Sequence, residues 1–196
     1  MKGDTATVIK GRCAREQRHH PRGRHRSDSQ VGKELERATG TWPGDPRVLR
    51  ARADLFLVGR EYAAARPLLE DLLKREPGSA ELCLLLGETW IETKEPAQAI
   101  PVLERAAAAD PGLLRARAAL GRAYVEDGQA ARAVGHLVAA LPGDEDGSVH
   151  LQLARAYRET GQAEQAARTL LAFQALRKAY EARMESDKQE FAITAP

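Results

Sequence analysis

Catalysis and metal binding need particular side chains at particular intervals, and this sequence offers few of them. It contains no GxSxG, HExxH, P-loop or dinucleotide fingerprint. The runs VGKELE (31–36) and GRAYVEDG (121–128) combine glycine with charge but lack the glycine spacing that cradles phosphate. Cys13 and Cys83 lie 70 residues apart without any CxxC pair, so neither a zinc module nor a disulfide framework is indicated. Cys83 sits among leucines and reads as a small buried hydrophobe. His136 and His150 fall on helical segments, in packing or surface positions. His19, His20 and His25 occupy a stretch with nothing ordered to hold them on a metal ion. The expectation is a protein that is not an enzyme, with no cofactor and no metal.

Charge is the next source of chemistry, and it is unevenly placed. Residues 1–30 hold eight Lys or Arg against three Asp or Glu, while the remaining residues hold 22 basic against 25 acidic groups. The net charge of +2 therefore comes from the amino-terminal stretch. Clustered positive charge draws polyanions without needing a fold. No aromatic residues alternate with these arginines to stack on bases, so nucleic acid is not the expected partner. No apolar run approaches the roughly 20 residues that span a bilayer. No apolar signal-peptide core opens the chain, which favours the cytoplasm.

The elements that would position any site follow from a repeat. Pro43, Pro77 and Pro111 are spaced by 34 residues, as are Ala65, Ala99 and Ala133, and Leu69, Leu103 and Leu137. Gly87 pairs with Gly121 and Trp90 with Tyr124 at the same interval. A fourth unit follows at 33: Ala154, Tyr157, Gly161, Ala166, Leu170 and Phe173 match Gly121, Tyr124, Gly128, Ala133, Leu137 and Ala140. Within each unit two apolar stripes at helical spacing flank a short break, such as Lys94-Glu95-Pro96. Two short amphipathic helices cannot bury their faces alone, so neighbouring pairs must stack. Gly87, Gly121 and the recurring alanines fit where helix backbones approach closely. The aromatics Phe56, Trp90, Tyr124 and Tyr157 fill the space between units. Pro77 and Pro111 end the second helices.

With Leu86-Gly87, Trp90, Ala99, Leu103, Ala106 and Pro111 in one unit, the chain resembles the tetratricopeptide-repeat family. Leu120-Gly121, Tyr124, Gly128, Ala133, Leu137 and Ala140 carry the same pattern in the next. The resemblance spans residues 46–176 in four units, of which the first is degenerate, with Arg52-Ala53 in place of Leu-Gly. It implies an all-α fold, a right-handed superhelical solenoid of antiparallel helix pairs. It also implies a non-enzymatic module that binds a protein or peptide in the concave groove lined by the first helices. The family's groove positions fall on Arg47, Arg50, Asp54 and Leu57 in unit one, and on Glu88 and Ile91 in unit two. Arg122 and Val125 follow in unit three, and Arg155 and Arg158 in unit four. Asp54, Glu88, Arg122 and Arg155 would then form an acidic-to-basic gradient beside an aliphatic strip of Leu57, Ile91 and Val125. The Lys and Asn clamp that holds a chaperone's carboxy-terminal carboxylate in some members survives only in fragments, so that specificity is not expected.

The ends depart from the repeat. Val31, Leu35 and Ala38 look like an orphan second helix over residues 30–43, preceded by a basic leader over 1–29 that is expected to be disordered. That orphan helix motivates a second reading, in which the chain is the regulatory or scaffolding fragment of a larger enzyme or of a secretion or assembly factor, truncated at its amino terminus. Residues 141–147 read as a looser acidic connector. From Ala166 through Leu170, Phe173, Leu176, Tyr180 and Met184 one stripe runs on, predicting a long closing helix over 163–188 whose apolar side covers the last open face. Residues 189–196 are expected to fray.

Overall fold

The computed structural model describes residue 33 and residues 35–194, and all regular structure among them is helical. The chain divides into two compact units, residues 1–78 and 79–196, at the junction of the first and second 34-residue repeats. The basic leader lies outside the described residues.

In the first unit a short helix, α1 (35–41), stands where the orphan helix was expected. Helix α2 (Pro46–Val58) starts with Pro at its first position, and the Asp45 carboxylate accepts the Arg47 N–H at 2.8 Å. Both are favoured at a helix start, because they answer or remove amides that lack an intrahelical acceptor. Helix α3 (Tyr62–Arg75) packs against α2 around buried Leu49, Ala53, Ala65 and Leu69. Arg75 ties the end of α3 to the start of the pair by donating to the Gly44 carbonyl at 2.7 Å.

The second unit holds three helix pairs. These are α4 (Ala80–Glu92) with α5 (Pro96–Ala109), α6 (Leu114–Glu126) with α7 (Ala130–Ala140), and α8 (Ser148–Glu159) with α9 (Ala163–Thr194). Each new first helix packs on both helices of the preceding pair: α6 on α4 and α5, α8 on α6 and α7. Stacking thus buries the stripes that one pair leaves open. Leu82, Leu84, Leu86, Ile91, Leu103, Leu120 and Leu137 all fall in the resulting core. Tyr124 is fully buried, whereas Phe56, Trp90 and Tyr157 are half-buried.

One turn geometry joins all four pairs. The residue after the first helix's last turn has positive φ: Arg60 at 60°, Lys94 at 65°, Gly128 and Gly161 at 77°. The next amide then donates back to the carbonyl of the recurring aromatic, from Glu61 to Phe56, Glu95 to Trp90, Gln129 to Tyr124 and Gln162 to Tyr157, at 2.8–2.9 Å. This is a Schellman closure, which satisfies carbonyls left over at a helix end. Glycine adopts that conformation freely, while Arg60 and Lys94 bear a Cβ penalty.

Within the pairs α4–α5 and α6–α7 the helices approach more closely than any side chain allows. A Cβ on Gly87 would lie 2.4 Å from Leu103, and one on Gly121 would lie 2.5 Å from Leu137. Both leucines are 0% exposed and have nowhere to move.

Three features differ from the sequence expectation. The connector after α7 is not loose: Leu141–Gly143 forms a 3-10 turn, and Asp144 is buried with its carboxylate accepting the His150 N–H at 2.9 Å. His150 also meets Asp144 Oδ2 through Nδ1 at 2.5 Å. Gly147, at φ 83°, lets Phe173 pack against the connector backbone. Secondly, α9 continues to Thr194, beyond residue 188 and through most of the stretch expected to fray. Thirdly, the apolar side of α9 does not close the last open face: Leu170 stays 41% and Leu171 66% exposed.

Gly121→Ala is expected to lower stability by about 1–2 kcal/mol, the overpacking cost exceeding the gain in helix propensity. Gly135→Ala is expected to do the reverse, gaining up to about 1 kcal/mol, since nothing lies within 4 Å of a Cβ there. Urea unfolding of the two variants reads the opposite signs. In the first unit, Arg60→Gly relieves the left-handed residue and should raise the unfolding midpoint, by about 0.5–1 kcal/mol in stability. An unchanged or lower midpoint would show that the Arg60 side chain contributes more than its backbone costs.

Candidate functional site

The first helices carry the residues expected to line a groove, and each unit shows what became of them. In the first, Arg47 pairs with Asp45 at 3.0 Å and Arg50 with Asp54 at 3.1 Å, one turn apart on α2. Leu57 is half-buried. Two of the three charges on this helix's expected groove face are thus locked in a local i,i+4 pair.

In the second unit α4, α6 and α8 lie side by side. Glu88 of α4 receives both guanidinium arms of Arg115 on α6, at 2.7 and 3.1 Å. Arg122 of α6 sits between Glu92 of α4 and Glu126 of its own helix, each at 2.7 Å, and Lys94 reaches Glu126 at 3.8 Å. Burial pushes the Glu88 carboxyl above its ordinary range, although Arg115 and Arg122 pull it down. Burial also opposes the charge on Arg122, but hydrogen bonds to Glu126 and Glu92 outweigh it and push its pKa up. Charges read as a gradient for a ligand are answered by the neighbouring helix.

The aliphatic strip is not a surface either. Ile91 is 1% exposed and Val125 7%, because each is covered when the next first helix packs across the pair. Ile91 and Val125 therefore face the helix pair that follows theirs, not the open side.

Arg155 and Arg158 on α8 behave differently. Both are exposed, and neither has an ion-pair partner among the described residues. The repeat gives the reason for Arg155. Glu126, which stands in α6 where Glu92 stands in α4, is already held by Arg122 and Lys94. Both arginines border a cavity of about 170 Å³ between α8 and α9, floored by Leu151, Ala154 and Leu170. Of the ten expected groove residues, the structure keeps this pair open and charged, and places it beside apolar surface.

The second unit also holds a polar cluster, between α5, α6 and α7, that sequence spacing did not indicate. The Tyr124 hydroxyl donates to Glu104, and Arg132 lies 4.3 Å over the tyrosine ring while also meeting Glu104 at 3.0 Å. Burial first, then Glu104, pushes the Tyr124 hydroxyl up to about 12. His136 stacks on Tyr124 at 5.7 Å, and burial together with Arg117 holds its pKa below the usual value. The tyrosine stays protonated and the cluster fastens α6 to α5 and α7. Cys83 is buried, and its thiol pKa is raised by that burial. Among the described residues no group of three or more His, Cys, Asp or Glu is placed to hold a metal ion. No described helix is long and apolar enough to cross a membrane.

Helix pairs closed by one recurrent turn, with α6 and α8 each laid across the pair before it in the second unit, define a helical-repeat fold. Tetratricopeptide-repeat models match residues 33–80 and 50–113, 91–148, and 148–181. The chain belongs to the tetratricopeptide-repeat family. Among solved structures it is similar to MamA, residues 41 to the end, from Desulfovibrio magneticus RS-1, with 24% identity over 91% of this chain and 98% of that one and a TM-score of 0.72. It is also similar to TTC0263, a thermophilic TPR protein in Thermus thermophilus, with 21% identity over 79% of this chain and 89% of that one and a TM-score of 0.58. At these identities the likeness shows the fold alone. No curated protein sequence matches the chain.

Because Arg122 is engaged inside the fold, Arg122→Met should lower stability by about 0.5–1 kcal/mol, the range of partly exposed pairs. About 1 M salt should erase most of that difference in urea unfolding. A salt-independent loss would assign the effect to packing of the arginine's stem.

Proposed function

We propose that this chain is a non-enzymatic protein-binding module whose first-helix face receives a segment of a partner, with its recognition charge concentrated at the α8 end. The family fold is that of an interaction scaffold, and three helix pairs in the second unit set three first helices side by side. What supports the finer reading is the contrast along that face. Glu88 and Arg122 are answered within the fold, whereas Arg155 and Arg158 present two positive charges to solvent. Unanswered charge at a surface steers and orients a partner more than it adds raw affinity. An acidic segment is the matching chemistry. Arg47, Arg50, Asp54 and Leu57 hold the corresponding first-helix positions on α2 in the first unit.

Affinity capture from the host extract tests this, with wild-type bait beside Arg155→Glu/Arg158→Glu and Arg122→Met baits. A specific protein retained by wild type should be lost with the double reversal and kept with Arg122→Met. Binding should fall steeply as salt rises. Retention unchanged by the double reversal would overturn the assignment of the α8 end.

A further inference from the structure

We infer that the open side of the α8–α9 pair is a seat for an amphipathic helix with an acidic first turn, docking as the first helix of a fifth repeat. This rests on the protein-binding reading and names the seat and chemistry of its partner. The internal repeats supply the template. In the pairs α4–α5 and α6–α7 the next first helix lies across the groove between the two helices and buries its floor. Leu103 and Leu137 are 0% exposed there, and Ile91 and Val125 are buried. The same positions in the last pair are Leu170, 41% exposed, and Arg158, exposed. The cavity of about 170 Å³ is lined by Ala154, Arg158 and Leu170, which take the repeat positions of Gly121, Val125 and Leu137.

The occupant's charge follows from the pairing seen at α4 and α6. Glu88 meets Arg115 in the first turn of the incoming helix, and Glu92 meets Arg122 two turns further on. On α8 the place of Glu88 is taken by Arg155 and that of Glu92 by Glu159. The sign is inverted at the first contact and kept at the second. An incoming helix therefore needs a carboxylate where Arg115 stands and a cation where Arg122 stands. Arg158, which replaces a buried aliphatic residue, asks for a further acceptor at the floor. Leu151, Ala154, Ala167 and Leu170 ask for aliphatic residues on the helix's inner face. The basic leader of the chain has the wrong sign for Arg155 and Arg158, and acidic residues in a helix's first turn also favour that helix through its dipole.

The probe is an acetylated peptide of residues 113–128, the α6 segment, carrying Arg115→Glu; its unaltered form is the control. Both are titrated into the full chain labelled at leucine methyls. The Glu peptide should shift Leu151 and Leu170 and bind about tenfold tighter than the control at low salt, the coupling expected of one close charge pair. In the Arg155→Glu chain the order of the two peptides should invert, which loss of folding cannot imitate. Equal affinities, or shifts confined to leucines of α4 and α6, would overturn the seat while leaving first-helix binding in place. Loss of all peptide binding together with capture indifferent to Arg155 and Arg158 would overturn both readings. A sedimentation coefficient that rises with chain concentration and is flattened by Leu170→Glu would overturn the acidic helix in favour of a second copy.

Discussion

The second unit depends on two contacts in which a leucine rests directly on a glycine backbone, Leu103 on Gly87 and Leu137 on Gly121. A side chain at either glycine would force the helices of a pair apart, and every later contact is scaled to that separation. Ala99, Ala106, Ala133 and Ala140 are essentially inaccessible because the paired helices lie close along their length. The next first helix can then span both members of the pair and cover the leucine that the glycine admitted. Close packing of this kind transmits a change of one methyl group, since interiors are filled to crystal-like density. The Schellman turns reinforce it by fixing the angle at which each second helix leaves the first.

Electrostatics then fixes the order in which first helices stand. Arg115 reaches Glu88 across 27 residues and Arg122 reaches Glu92 across 30, each joining α6 to α4. Pairs at this exposure contribute little to net stability, and their larger effect is to disfavour wrong neighbours, since two acidic faces would repel. The same engagement removes those residues from the surface offered to a ligand. Use of charge for internal order and use of charge for recognition compete at the same helix positions, and α4 and α6 have settled the competition in favour of order.

Much of this was legible in the sequence. The 34-residue interval marks the helix pairs, the glycines of close approach and the alanine contacts, because each repeats for the same packing reason. What a period cannot show is what stands opposite a residue in the next repeat. Ile91 and Val125 share a helix face with charged residues and so look like a surface strip, yet they are buried where the following pair packs. Arg115 was the missed partner of Glu88; opposite signs at a 27-residue interval were its only trace. Residues 141–147 read as a loose acidic connector, whereas Asp144 is turned inward to hold the start of α8. The extent of α9 was undercounted because a helix without breakers gives no signal for where it stops.

The last pair shows how a repeat can be altered without losing its fold. Ala154 stands where α4 and α6 carry Gly87 and Gly121, and its partner Leu170 is 41% exposed whereas Leu103 and Leu137 are 0% exposed. Terminal repeats commonly acquire a polar outer face, since an uncovered apolar one exposes the array to aggregation. Arg158 in place of a buried aliphatic residue fits that requirement. Leu151 and Leu170 do not, for they keep an apolar floor under the two arginines. A helix closed purely for solubility would have polar residues at those positions as well. Retained aliphatic residues beside two exposed arginines give the α8–α9 pair, among the described residues, an open side of defined shape and sign that the pairs α4–α5 and α6–α7 lack.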